Sequence, residues 1–187
     1  VWDSNYDGVK FPEKPTTVLR IRSTERALYW RASTLDLFVQ DRWLENIVPL
    51  AIGDPNQAVP SDPLRVPRAR EQAGWVEQQV EVVALDDEHL VAASEPMWIE
   101  GRSLPQVQFG SGGVIQARDR IPRGSTYRMW SYAPSPRADA LERSLPRYPP
   151  AASHYLRIDR ATTPIFGAPG RSQAIDDLFT DLRYQPM

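Results

Sequence analysis

Apolar and polar side chains alternate along most of the chain. From Trp75 to Leu85, Val76, Val80 and Val82 fall on one side and Glu77, Gln79 and Glu81 on the other, the two-residue period of a half-buried strand. Thr17 to Arg22 sets Leu19 and Ile21 against Arg20 and Arg22. Tyr127 to Tyr132 sets Tyr127, Met129 and Ser131 against Arg128, Trp130 and Tyr132. Leu28 to Phe38 is too long and aromatic for a turn and lacks a helical stripe, so it reads as a strand bent near Ser33-Thr34. Val39-Gln40-Asp41 reverses the chain and Arg42 to Val48 returns. Asp86 to His89 reads as a turn after which Leu90 to Ala93 pairs back as a hairpin. Met97 to Ile99, Gln106 to Phe109 and Val114 to Ala117 are further short strands.

The pattern breaks in two places. Residues 49–74 carry five prolines and two glycines with little periodicity, and read as a long surface excursion. After Pro134, Ser135 is placed to cap a helix with Pro136 at its first position, and Ala138, Leu141, Glu142 and Leu145 have helical spacing. A Pro-rich connector follows. A last helix near 172–182 places Ile175, Leu178, Phe179 and Leu182 at i, i+3, i+4 and i+7. The expected fold is mainly β: a sandwich or open barrel of about eight short strands, with a short helix near 136–145 and the C-terminal one. The expected division is a β-rich domain over 1–145 and a linker with helix over 146–187.

Composition narrows the function classes. A net charge of −2 supplies no basic field for nucleic acid. No run approaches the roughly 20 apolar residues of a membrane helix, so no direct insertion by this chain is expected. The chain has no cysteine, which removes disulfides, thiolate nucleophiles and Cys-ligated metals together. Its 18 prolines, mostly in connections, argue against a helical bundle.

Motifs for chemistry are sparse. Phe109-Gly110-Ser111-Gly112-Gly113 misses the first glycine of a nucleophile elbow, and the strand-like Val114 to Ala117 that follows it is wrong for a phosphate loop. That loop reads as a flexible connection. His89 and His154 read as exposed loop residues rather than bases. Asp86, Asp87, Glu88 and His89 are consecutive, so alternation points neighbours apart and a charged turn is favoured over a metal site. No cofactor is expected. Trp30, Trp43, Trp75, Trp98 and Trp130 lie in or beside strands, where packing is their usual role. An exposed row can instead stack on sugar rings. Trp130 and Tyr132 share a face with Arg128, and with Trp98 they form the candidate ligand-binding surface.

The run Tyr29-Trp30-Arg31-Ala32-Ser33-Thr34-Leu35-Asp36-Leu37-Phe38, followed by Arg42-Trp43, is the most specific label in the sequence. Trp2, Tyr6, Phe11-Pro12, Thr17-Val18-Leu19, Val80 to Leu85, Leu90 to Ala93, Tyr127 to Tyr132, Pro134-Ser135-Pro136 and Tyr155-Leu156 extend the match. Together they resemble the extracytoplasmic β-rich domain of bacterial membrane-anchored transglutaminase-like proteins, a class of putative cysteine proteases. Val39-Gln40-Asp41 stands where the family usually has an Asp-Gly turn.

The resemblance implies a periplasmic or cell-surface location. It implies membrane helices and a Cys-His-Asp core in the same parent chain as partners, the C-terminal helix approaching that core. No catalytic residue carries over, because the family's triad belongs to the core. The domain is then expected to be structural or interactive, with cell-wall glycan or peptide binding as the alternative. Trp30 and Trp43 are expected to be buried, and Arg31, Asp36 and Arg42 to pair across the hairpin as structural ions.

Overall fold

The computed structural model describes residues 14–25, 28–39, 42–144 and 148–154. The side chains of Phe38, Arg42, Trp43 and His154 and the helix expected near 172–182 lie outside the described residues. The chain divides into two compact units, Val1–Ala151 and Ala152–Met187, and the elements below belong to the first.

The protein is mainly β. Twelve strands form among the described residues: β1 Leu19–Ser23, β2 Trp30–Arg31, β3 Leu37–Val39, β4 Arg42–Leu44, β5 Pro49–Gly53, β6 Asn56–Ala58, β7 Trp75–Val82, β8 Ala92–Ala93, β9 Glu95–Glu100, β10 Val107–Gly110, β11 Ile115–Ala117 and β12 Thr126–Tyr132. A five-stranded antiparallel sheet has the order β1-β7-β12-β9-β6, and a three-stranded one the order β11-β10-β5. β2 pairs with β8 and β3 with β4.

Two of the alternating stretches, β7 and β12, take interior places and the third, β1, flanks β7 at the edge, because each offers one apolar face. β7 points Val76, Val80 and Val82 inward, and β12 points Tyr127 and Met129 the same way. Val80, Val82, Ile99, Tyr127 and Met129 share one buried cluster with Val107, Phe109, Ile115 and Ala117 of the smaller sheet. Phe109 is wholly buried there; removing such a ring to alanine costs about 3–5 kcal/mol. Inward polar groups are satisfied. Gln78 donates to the Val76 carbonyl (2.7 Å) and accepts the Ala93 N–H (2.9 Å). The Tyr127 hydroxyl accepts the Val91 N–H and donates to the Val91 carbonyl, both at 2.9 Å, and burial pushes its pKa up.

Four expectations need correction. Leu90 to Ala93 does not return along β7: both edges of β7 are taken by β1 and β12, and β8 pairs with β2. All four residues are buried, so they have no solvent face to alternate. The 49–74 excursion contains β5 and β6, short outer strands whose proline and glycine punctuation hid them; Pro49 is tolerated at an edge. The helix spans only Ala138–Glu142, and Arg137 rather than Ser135 occupies its N-cap without a side-chain bond. The return after the hairpin is only Arg42–Leu44, while the bend expected at Ser33-Thr34 separates β2 from β3.

Candidate ligand-binding face

The cross-strand register builds transverse rows on the outward face of the five-stranded sheet. Arg22 lies opposite Gln79, Gln79 opposite Arg128, Arg128 opposite Glu100 and Glu100 opposite Asn56, one polar row crossing all five strands. A neighbouring row runs Glu77, Trp130, Trp98 and Ala58. The alternation of β7 and β12 makes this happen, since every residue opposite the apolar set faces out. Salt bridges lace the face: Arg20 to Glu81 at 3.1 Å, Arg128 to Glu100 at 2.6 Å and to Glu77 at 3.7 Å. Arg22 and Arg102 have no carboxylate partner among the described residues.

Two shallow hollows open here. One of about 430 Å³ is lined by Asn56, Gln79, Glu100, Arg102, Thr126 and Arg128 among others, and one of about 160 Å³ by Arg20, Arg22, Gln79, Glu81 and Thr126. Gln79 and Thr126 belong to both, so the hollows adjoin.

The four candidates, Trp98, Arg128, Trp130 and Tyr132, share this face but not one environment. Trp98 keeps 37% of its surface exposed. The Arg128 guanidinium stands 5.2 Å from the Trp130 ring centroid and covers one of its faces. Tyr132 packs on Gly74, where a Cβ would stand 2.6 Å from the tyrosine Cε2. Trp75 donates its indole N–H to the Ala69 carbonyl (2.8 Å). The 3-10 turns at Pro67–Arg70 and Gln72–Gly74 therefore occupy the Trp75–Tyr132 end and leave the Trp98 end open.

The stretch from Tyr29 behaves differently from expectation. Trp30 is 41% exposed and Tyr29 almost fully so. Alternation along β2 turns Trp30 outward and Arg31 inward. Arg31 donates to the Ser94 carbonyl (2.7 Å) and the Thr34 hydroxyl (3.4 Å), and the Glu95 and Asp62 charges face it. Burial lowers the pKa of its guanidinium, which those carboxylates partly offset. Asp36 accepts the Asn46 N–H at 2.7 Å.

A buried ionic cluster thus lies under β2, and sequence reasoning missed most of it. Arg65, with only 6% of its side chain exposed, meets Glu95 at 3.1 Å and reaches the Val59 and Pro96 carbonyls (both 3.4 Å). Asp62 is buried and accepts the Gly112 N–H (2.6 Å) and the Leu64 N–H (2.8 Å). The glycine loop is thereby a packed turn rather than a free connection. Gly112 and Gly113 adopt φ of 68° and 72°, and a Cβ on Gly113 would meet the Arg31 Nη2 at 2.7 Å.

His89 is also more enclosed than a loop histidine, with 17% of its side chain exposed. Its Nδ1 bonds Asp87 Oδ1 at 2.7 Å. Its Nε2 lies 3.2 Å from Glu45 Oε1, out of line for a hydrogen bond, and is buried without one. The Ser33 hydroxyl donates to that same carboxylate. Burial raises the Asp87 pKa, but the backbone N–H groups of His89 and Glu88 and the His89 ring outweigh this and hold it below its ordinary value. Among the described residues no three His, Asp or Glu side chains are arranged to hold a metal ion.

The protein is thus a mainly β, antiparallel domain that encloses one set of charges and displays another on a sheet face. The model of the TgpA N-terminal domain matches residues 10–138, and the chain belongs to that family. A crystal structure of the periplasmic domain of TgpA from Pseudomonas aeruginosa bound to ethylmercury matches with a TM-score of 0.50 and 16% identity. That match covers 94% of this chain and 59% of the other. A further crystal structure of the periplasmic domain of TgpA from Pseudomonas aeruginosa matches at 19% identity and a TM-score of 0.42, covering 62% of this chain and 36% of that one. The chain spans less than two thirds of either structure, and at such identities the likeness is one of fold. No curated protein sequence matches the chain.

Proposed function

We propose that this chain is the non-catalytic, extracytoplasmic structural and interaction domain of a membrane-anchored transglutaminase-like protein. The match of residues 10–138 to the TgpA N-terminal domain carries the reading. The likeness in fold to a periplasmic domain supports the location, and no helix among the described residues is long and apolar enough to cross a membrane. The absence of cysteine supports the assignment of chemistry to another part of the parent, because a thiol nucleophile cannot come from this chain. The partners are then the core and membrane helices of that parent.

The test is an assay of the purified chain on peptide amides and on Gln/Lys donor–acceptor pairs. No turnover is expected. Thiol-independent turnover that survives repurification overturns the reading. Mixing the chain with the separately produced core is expected to give a complex by analytical ultracentrifugation.

A further inference from the structure

We infer that the outward face of the five-stranded sheet binds a carboxylate-bearing glycan, with Trp98 as the ring platform and Arg22 and Arg102 as the carboxylate ligands. This goes beyond the scaffold reading and stands or falls separately from it.

Three observations converge. First, the backbone groups of β7, β12 and β9 are engaged in ladders on both sides, so a ligand on this face must be read by side chains alone. A peptide read through its main chain needs a free strand edge. A sugar chain, dense in hydroxyls, needs side-chain donors and acceptors. The row Arg22, Gln79, Arg128, Glu100 and Asn56 supplies both kinds, at the interstrand spacing of about 4.8 Å.

Second, charge on the face is unevenly used. Arg20 and Arg128 are committed to Glu81, Glu77 and Glu100. Arg22 and Arg102 are exposed and line the two adjoining hollows without an ion-pair partner among the described residues. A guanidinium so placed is a ready bidentate ligand for a carboxylate. Third, the aromatic row beside the polar one leaves Trp98 half open while Arg128 covers Trp130. An indole next to hydrogen-bonding side chains matches a pyranose, which has an apolar C–H face and a polar rim.

The experiment titrates the full chain, by tryptophan fluorescence and calorimetry, with bacterial glycan strands stripped of their peptides. These carry a lactyl carboxylate on every second sugar. Two parallel titrations use the same strands with the carboxylates amidated, and poly-glutamate of similar length. Binding is expected for the stripped strands, with a loss of roughly tenfold on amidation or in Trp98→Ala. A comparable loss is expected in Arg22→Ala with Arg102→Ala. These two exposed arginines serve as the second variant, because their removal leaves the core untouched; the melting midpoint of each variant is expected to match the parent. Absence of binding to the stripped strands overturns the inference. So does undiminished affinity in Trp98→Ala, or poly-glutamate binding as tight as the glycan.

Discussion

The protein uses arginine–carboxylate pairs in two regions with opposite consequences. On the outer sheet face, Arg20–Glu81 and Arg128–Glu100 sit in solvent, with 62% and 50% of the arginine side chains exposed. Under β2, Arg65 and Glu95 meet at a similar distance with the guanidinium almost sealed. Exposed pairs gain little, because water competes for both ions. A buried pair repays its desolvation only while every partner remains. The outer pairs can therefore be broken at small expense, whereas the inner ones are committed to holding Asp62, Glu95 and the Gly112-Gly113 turn in place.

Removing one inner partner breaks the comparison most sharply. Arg65→Met leaves Glu95 facing Arg31 alone and removes the guanidinium's bonds to the Val59 and Pro96 carbonyls. The expected loss is about 3–5 kcal/mol, a fall in melting midpoint on the order of 10 °C for a domain of this size. Adding Glu95→Leu is expected to recover little of it, since the buried Arg31 guanidinium then loses the carboxylate that offsets its burial. A midpoint for Arg65→Met within a degree or two of the parent would place these ions with the solvent-screened ones outside.

Two glycines sharpen the same contrast more gently. Gly113 and Gly124 both have positive φ, 72° and 83°. A Cβ at Gly124 meets nothing within 4 Å, while at Gly113 it meets Arg31 and Pro96. Gly124→Ala is expected to cost about 1–2 kcal/mol from backbone strain. Gly113→Ala adds roughly 1–3 kcal/mol for crowding the guanidinium. Equal losses in chemical denaturation would remove Arg31 from the account. On the outer face, Arg128→Ala is expected to change stability by about 1 kcal/mol or less, and by less again in high salt.

The same contrast explains what was legible in the sequence. β1, β7 and β12 could be read because one face of each meets the core and the other water, which writes a period of two into the residues. The outer face was legible for that reason too: Arg128, Trp130 and Tyr132 are neighbours in a strand. Trp30 was misread because an aromatic residue in a strand suggests burial, yet on β2 the charged Arg31 takes the inward position. Nothing local joins residues 31, 62, 65, 95 and 112. Their cluster exists only after β2 meets β8 and the 49–74 segment folds back, so no spacing could announce it. The short strands in that segment were hidden for a related reason: Pro49, Gly53 and Pro55 interrupt β-propensity at sheet edges, where neighbours rather than propensity decide.

The smallest predicted effect tests a group between the two extremes. Asp87 is partly exposed, yet its carboxylate accepts the Glu88 N–H at 2.7 Å, the His89 N–H at 3.0 Å and the His89 ring. These bonds favour the charged form and hold the pKa below the ordinary carboxylate value in spite of burial. The sign follows from proton linkage. A group whose folded pKa is depressed binds fewer protons in the folded state, so its contribution is complete above the unfolded value of about 3.9 and is lost as pH falls through the folded one. Melting midpoints taken from about pH 6 down to about pH 3 are expected to fall less steeply at the acid end in Asp87→Asn than in the parent, while the variant is slightly less stable near neutrality. Parallel acid limbs would mean that the Asp87 carboxylate is held by the turn no better than by water.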